Sequence, residues 1–316
     1  MKALLSCLVV VASLSNNAPL AAHASCQMSV PVIALASGSA SGFFANDLRA
    51  TMKGKEVTIN EVKPPPATRR FVFVLDRSGS MVGTRTMPDS ALTLDLDRLM
   101  RQGVEQAVGE VPGGDSIAFL AFSGGNSTRS EFAAQKAALA ELPAILAWWP
   151  PGRGIHKTPL WLNIESALKM LTPHEAGDVI VVVSDGRDNA STISMKKVQA
   201  DLLTAGVPVL AIFVANPSEP TLEARAGASD LARLAQVTGG TTAVADARIA
   251  RALSLSISML QSDQLIPLLT HQYELEVEAP AIQKPEKWEL KVNSTAGGRR
   301  LNLLYPQYLL PCTETH

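Results

Sequence analysis

Cysteine is scarce in this chain, with 3 residues in 316, and no sign of charge predominates, the formal net charge being -1. No run of lysines and arginines offers a surface that tracks phosphates, which argues against a nucleic-acid binder. There is no GxSxG elbow, no phosphate-cradling GxxxxGK[ST] loop and no HExxH pair, so the common hydrolase and nucleotide-binding signatures are missing. No internal repeat or low-complexity tract appears. Beyond the first two dozen residues no segment is apolar for long enough to cross a membrane, and no C-terminal anchor is expected. What remains is an ordinary globular composition, 47% hydrophobic, long enough for one large domain or a large and a small one.

The start reads as a targeting segment. MKALLSCLVVVASL has a basic residue, Lys2, then a short apolar core, and Ala22-His23-Ala24 fits a small-x-small cleavage site. The expectation is a signal peptide over 1–24 and an exported mature chain; a retained membrane anchor is the competing reading. Cleavage removes Cys7 and leaves Cys26 and Cys312 near the two ends. An exported chain with two cysteines allows one internal disulfide, which is expected here, against a lipidated Cys26 for which His23 is a poor upstream residue.

The middle of the chain alternates apolar runs with helical periodicity. Strands are expected over 71–75, 116–122, 179–183, 207–214 and 241–244. Helical spacing links Leu92 to Val111, Leu160 to Leu171, Val198 to Leu203 with Gly206 as C-cap, Leu231 to Ala235, and Ile249 to Leu260. Runs apolar on both faces, separated by amphipathic helices, predict an α/β fold with a doubly wound, mainly parallel sheet. The flanks differ. A hairpin is expected over 52–62, turning at Lys53-Gly54-Lys55, followed by a stiff PPP linker at 64–66. After the last helix, YELEVEA and KWELKVN alternate with period two. The expected organisation is a signal peptide over 1–24, an N-terminal β segment over 25–68, the α/β domain over 69–264, and a C-terminal β segment over 265–316. The two β segments are expected to form one small antiparallel domain.

The central motif is FVFVLDRSGSM, an apolar strand that ends in a carboxylate and two hydroxyls. Ligands of open α/β sheets bind beyond the C-terminal strand ends, where Asp76 falls. The spacing Asp76-x-Ser78-x-Ser80 gathers three oxygen side chains in one loop, and Gly79 lets it bend. Such oxygens suit magnesium or manganese rather than zinc, but one loop cannot complete a shell of about six ligands. Thr158, expected as a helix N-cap with Pro159 at the first helical position, and Asp185, at the end of VIVVVSD, lie at the same rim.

Together DRSGSM, the TPL threonine and the strand-ending SDG resemble the von Willebrand factor A domain and its metal-ion-dependent adhesion site, over about residues 69–262. The resemblance implies a metal held by Asp76, Ser78, Ser80 and Thr158, with Asp185 acting through water. It implies Mg2+, with Mn2+ or Ca2+ as substitutes, and one coordination position left for a carboxylate of a protein partner. The flanking β segments are similar to those of bacterial exported proteins of this kind. His156-Lys157 stands where glycines are common before the threonine, a departure that bears on how open the metal face is. Trp148, Trp149 and His156 are candidates for a ligand rim, with ordinary packing as the alternative for the tryptophans. Arg77, Arg187 and Asp188 read as solvated loop charges, with Arg187 also placed to touch a ligand carboxylate. Ser78 lacks the second aspartate of phosphoaspartyl phosphatases, and no order or spacing supports a Ser-His156-Asp185 triad, so no enzyme is expected. The expected function is exported, metal-dependent protein recognition. The alternative is a structural subunit of a cell-envelope assembly that the metal only stabilises, with a metal-dependent hydrolase behind both. A further expectation is that the last helix, about 246–260, passes ligand binding on to the β segments.

Overall fold

A computed structural model describes residues 25–36, 44–64, 66–82, 91–147, 157–215, 222–246, 270–292 and 301–312. In chain order the elements are β1 (Ser25–Ala36), β2 (Leu48–Met52), β3 (Lys55–Lys63), β4 (Arg70–Asp76), α1 (Gly79–Val82), α2 (Ala91–Glu110), β5 (Ser116–Ser123), β6 (Asn126–Arg129), β7 (Ala133–Ala134) and α3 (Gln135–Ala147). They continue with α4 (Leu160–Met170), β8 (Val179–Ser184), α5 (Met195–Ala205), β9 (Val209–Ala215), α6 (Leu222–Val237), β10 (Thr242–Asp246), β11 (Gln272–Pro280), β12 (Glu286–Val292), β13 (Leu301–Leu304) and β14 (Tyr308–Leu309).

One sheet has the order β10-β9-β8-β4-β5-β6 and is parallel except for β6 and the short β7, both antiparallel to β5. Alternation along β4 feeds two cores. Phe71, Phe73 and Leu75 pack with Met100, Val104 and Val108 of α2 and with α3; Val72 and Val74 face α4, α5 and α6. Helices therefore cover both faces, which is why β4, β5 and β8 are apolar at nearly every position. The fold class expected from the periodicity is the one observed. β9 starts at Val209 and not at 207, because Gly206 adopts φ 67 at the end of α5 and Val207 N–H then bonds Leu202 O, tying it to the helix. Helix α3, with Pro143 inside it, was not expected from the sequence.

The second sheet is antiparallel, with the order β13-β1-β11-β3-β2-β12-β14. The expected hairpin is β2–β3, and Lys53 (φ 52) and Gly54 (φ 75) make its two-residue turn left-handed at both positions. Strands β13 and β14 lie at opposite ends of this order yet are joined by only residues 305–307, so the sheet curls until its edges approach. Val30, Val32, Ala34, Leu275, Val277 and Trp288 fill the inside. Trp288 Nε1 donates to Pro306 O at 2.6 Å, and Leu290 N–H to the Tyr305 hydroxyl at 3.1 Å, drawing the chain after β13 toward β12. The expected disulfide is present: Cys26 is bonded to Cys312 across 286 residues, with Cα atoms 6.1 Å apart. It excludes lipidation of the Cys26 thiol.

The two sheets share packing. Ile33 of β1 belongs to the core formed by α2, α3 and β4, and Leu35 and Leu304 pack against it. Gln307 N–H donates to Val237 O at the end of α6. At the N-terminal edge of the parallel sheet, Arg69 and Asp115 form a buried ion pair, 2.6 Å from Nη2 to Oδ2, and the Arg69 backbone N–H also donates to Asp115. That pair fixes the point where the linker enters the domain. Among the described residues no helix is long and apolar enough to cross a membrane.

Candidate metal centre

Asp76 ends the central strand and is fully buried. Its Oδ1 accepts from Ser78 N–H at 2.9 Å and its Oδ2 from the Ser184 hydroxyl at 2.7 Å. Arg77 N–H donates to Phe122 O at 2.8 Å, laying the DRSGS loop over the end of β5. The Ser78 and Ser80 hydroxyls lie 3.2 Å apart, where α1 begins. The spacing Asp-x-Ser-x-Ser thus becomes one cluster of oxygens.

Two more segments are tied to it. Thr158 N–H donates to Asn189 Oδ1 at 2.8 Å, and Asn189 N–H returns a bond to Thr158 O at 3.2 Å. Lys157 O accepts from Gly124 N–H, anchoring the same segment to the β5–β6 turn. Asp185 follows Ser184 and is buried; its Oδ1 accepts from Arg187 N–H. All five expected residues, Asp76, Ser78, Ser80, Thr158 and Asp185, therefore stand at the C-terminal edge of the parallel sheet.

Several details differ from the sequence reading. Thr158 is not the cap of α4. The helix starts at Leu160, Pro159 holds the N-cap position at φ -82 and ψ 63, and no side chain of its own caps it. The cap comes from the β8–α5 loop: Asp188 accepts from Trp161 N–H at 3.2 Å, and the Ser191 hydroxyl from Leu162 N–H at 3.1 Å. The Thr158 hydroxyl is left out of the capping. Asp188 also receives Ala190 and Ser191 N–H, so it organises the loop and is not a solvated charge. Arg77 is 3% exposed and equally not a solvated charge. Arg187 lies inward with its Nε 3.4 Å from Asp185 Oδ2, a side chain turned onto the site and not out from its rim. Asp188→Ala should cost about 1–2 kcal/mol, the loss of a helix cap, read as a lower melting temperature.

Ser184, Asn189 and Ser123 were not singled out from the sequence. Ser184 and Asn189 carry the cross-links just described. Ser123 is fully buried at the end of β5, and its hydroxyl has no hydrogen-bond partner among the described residues. The only signal for these positions was adjacency to a strand end. Trp148, Trp149 and His156 lie outside the described residues, as do the signal segment and residues 247–260 of the expected last helix.

Helix α6 presses on the site. Gly227 meets Gly186, the residue after Asp185, backbone to backbone: a Cβ on Gly186 would fall 2.6 Å from Gly227 C, and a Cβ on Gly227 would collide with Gly186 O. Gly186 also has φ +78, so it requires glycine on two counts. Gly227→Ala should push the 185–187 loop outward and lower the melting temperature by the equivalent of about 1–3 kcal/mol, the usual cost of overpacking. An unchanged melting temperature would show that the loop yields freely.

The electrostatics fit a cation. Burial first, and the Asp185 carboxylate second, push the Asp76 carboxyl up to about 7 against the opposing bonds from Ser184 and Ser78. Two acids held together in a buried place, with hydroxyls and no sulfur or imidazole among them, make an all-oxygen set suited to a hard divalent ion. Among the described residues no group of three or more His, Cys, Asp or Glu side chains gathers that could hold a metal ion, so the hydroxyls would have to complete the set.

A central strand ending at Asp76 and running into RSGS, flanked by a threonine loop and an SDG loop on a doubly wound sheet, resembles a von Willebrand factor A domain in fold and in loop sequence. No protein-family model matches the chain, and no curated protein matches it. Solved structures do. BatB from Bacteroides thetaiotaomicron, described as a conserved hypothetical protein, overlaps with a TM-score of 0.42 at 19% identity, over 61% of this chain and 99% of that one. A von Willebrand factor type A protein from Catenulispora acidiphila gives 0.44 at 11%, over 89% and 72%. The pilus adhesin SpaC from Lactobacillus rhamnosus GG gives 0.47 at 10%, over 84% of this chain and 48% of that one. Likeness at this distance concerns the path of the chain; what the site does is argued from its own residues.

Proposed function

We propose that this chain is an exported recognition module that binds an acidic group of a partner protein through a divalent cation. Asp76, Ser78, Ser80 and Thr158 would hold the ion, with Asp185 behind them. Magnesium is the expected ion, and manganese or calcium would substitute. When bound, the ion supplies positive charge and a coordination position that a partner carboxylate can fill. The single observation that carries this reading is the convergence of two buried carboxylates and three hydroxyls from three segments, cross-linked through Ser184 and Asn189. Such cross-links hold ligand oxygens in place before an ion arrives. A disulfide near the chain ends agrees with an oxidising compartment. No catalytic step is assigned.

Calorimetry with magnesium, on the wild type and on Thr158→Ala, tests the site. The wild type should bind one ion and Thr158→Ala should bind it more weakly. A wild type with no magnesium heat and no thermal shift removes the reading. Recognition is tested by capture from the envelope of the exporting cell, with magnesium or with EDTA. If the ion binds but capture is the same under both conditions, the metal only stabilises and the structural-subunit alternative takes its place.

A further inference from the structure

We propose that the antiparallel sheet carries a second binding site, a slot beside β1 that accepts an extended peptide as an added strand. The slot lies at the opposite end of the parallel sheet from Asp76 and does not depend on the metal.

Strand β1 pairs with β11 along residues 25–33, but on its other side with β13 only along residues 33–36. Ala34 N–H bonds His271 O, its direct partner across from β11, so even-numbered residues of β1 point their backbone groups at β11. Antiparallel ladders alternate, and the register with β11 has no bulge, so Gln27, Ser29 and Pro31 point theirs the other way. Among the described residues no backbone hydrogen bond from 27–31 runs in that direction. Pro31, which has no N–H, sits at one of the outward positions, as proline on an open edge does.

This edge is recessed only in part: Gln27 and Ser29 are exposed, while Pro31 is half-buried. After β13 the chain departs at Pro306 to pair with β12 through Tyr308 and Leu309, and returns to β1 only at the Cys26–Cys312 disulfide. Between β1 and that departing segment lies a cavity of about 350 Å³. Its remaining walls come from Gln272, Tyr273 and Glu274 of β11 and from the N-terminal edge of the parallel sheet with the end of α5, including Ala176, Leu203 and Pro208.

The occupant follows from this shape. A helix does not match this edge, because its backbone groups are spent on bonds within the helix. An extended segment does, because it needs room for only two or three side chains and satisfies the outward groups of β1. A second copy of this chain would bring the same acidic lining, Glu175 and Glu274 included, so that like charges would face each other. The lining contains His174, Glu175, Asp178 and Glu274 and no lysine or arginine; Arg70 pairs with Asp178 and lies near Glu175 from outside the lining, and the remaining excess of acid favours a peptide with alternating apolar residues and basic ends. Such a strand would accept from Gln27 and Ser29 N–H and donate to the carbonyls of Gln27, Ser29 and Pro31.

The synthetic peptide Lys-Val-Thr-Val-Thr-Val-Lys, titrated into the disulfide-intact mature protein, tests the slot, with amide exchange as the structural readout. The expected result is saturable binding that slows exchange at Gln27 and Ser29 and leaves Met28 and Val30 unchanged. Ser29→Pro removes an outward donor that the ladder with β11 does not use and should weaken binding at least tenfold. Ala176→Trp, at an exposed loop position, should block the slot without touching β1 and covers the case in which Ser29→Pro fails to fold. No binding at millimolar peptide overturns the proposal. So does equal binding of an amphipathic helical peptide, which would mark an unspecific apolar groove. Protection of Gln27 and Ser29 before any peptide is added also overturns it, since the edge would then be covered already by this chain or by a second copy.

Discussion

Asp76→Asn is expected to stabilise the metal-free protein at pH 8 and to abolish its response to magnesium. The folded-state carboxyl titrates near 7 where the unfolded one titrates at 3.8, because burial and the Asp185 carboxylate both disfavour its charge. Between those values the folded state holds the extra proton. Stability of the metal-free wild type should therefore fall as pH rises from about 4 to 7, by on the order of 1.4 kcal/mol per pH unit, and level off above. Asparagine keeps the shape and an acceptor for Ser78 N–H, gives up the acceptor for the Ser184 hydroxyl, to which its amide N–H can donate instead, and has no charge to bury. Its advantage over aspartate should grow across that window and stay constant beyond it. With magnesium the order reverses. The wild type should gain about 2.7 kcal/mol at a hundredfold excess over the dissociation constant, and Asp76→Asn should gain nothing. Because proton and ion compete for one carboxylate, magnesium affinity should weaken about tenfold per pH unit below 7. Melting curves at pH 5, 6, 7 and 8, with magnesium and with EDTA, decide this. Superimposable wild-type curves at pH 8 in the two solutions would remove the metal, and a variant that tracks the wild type at every pH would remove the buried charge.

Loss of the disulfide should have the other large effect. Cys26 and Cys312 close a loop of 286 residues, nearly the whole described chain. Cross-links of that span restrict the unfolded chain most, and removing this one with Cys26→Ala and Cys312→Ala should cost about 3–5 kcal/mol. The antiparallel sheet should feel the loss first, since the bond joins the start of β1 to the segment after β14, and few ladder bonds hold β14 itself. The fluorescence of Trp288, packed edge-on against Tyr305 with ring centres 5.3 Å apart, reports on that sheet. Equal melting temperatures for the oxidised protein and the double variant would show that the closure is held by packing alone.

The parallel sheet and four of its helices were legible because each element is long and strongly periodic. β4, β5 and β8 are apolar on both faces, a pattern that only a sheet covered twice requires, and Leu160–Leu168 keeps helical spacing throughout. Asp76, Ser78 and Ser80 were legible for a similar reason: their relation is local, set by the spacing within one loop. Thr158 and Asp185 could be assigned to the same rim because strand ends and helix starts of an open sheet share an edge. Local sequence also determined the Lys53-Gly54 turn and the αL cap at Gly206, where backbone conformation depends on one or two residues.

What tertiary structure decided were the relations between distant segments. The sequence gives no sign that α4 is capped by Asp188 and Ser191, 27 and 29 residues from the amides they accept, because a cap supplied from another loop leaves no pattern near the helix. Nor does it tell that Arg77, Arg187 and Asp188 turn inward: charged residues in a loop look solvated until the neighbouring loop covers them. The contact of Gly186 with Gly227 is a meeting of two backbones, and either glycine alone reads as an ordinary loop or helix residue. The curl of the antiparallel sheet is of the same kind. Alternation identified its strands, but strand order and the gap beside β1 depend on which edges pair, and hydrogen bonds between backbones carry no side-chain signature. Side-chain periodicity therefore determined the layers and the rim of this protein, while backbone-to-backbone contacts across the fold decided how its loops lock around Asp76 and where β1 is left open.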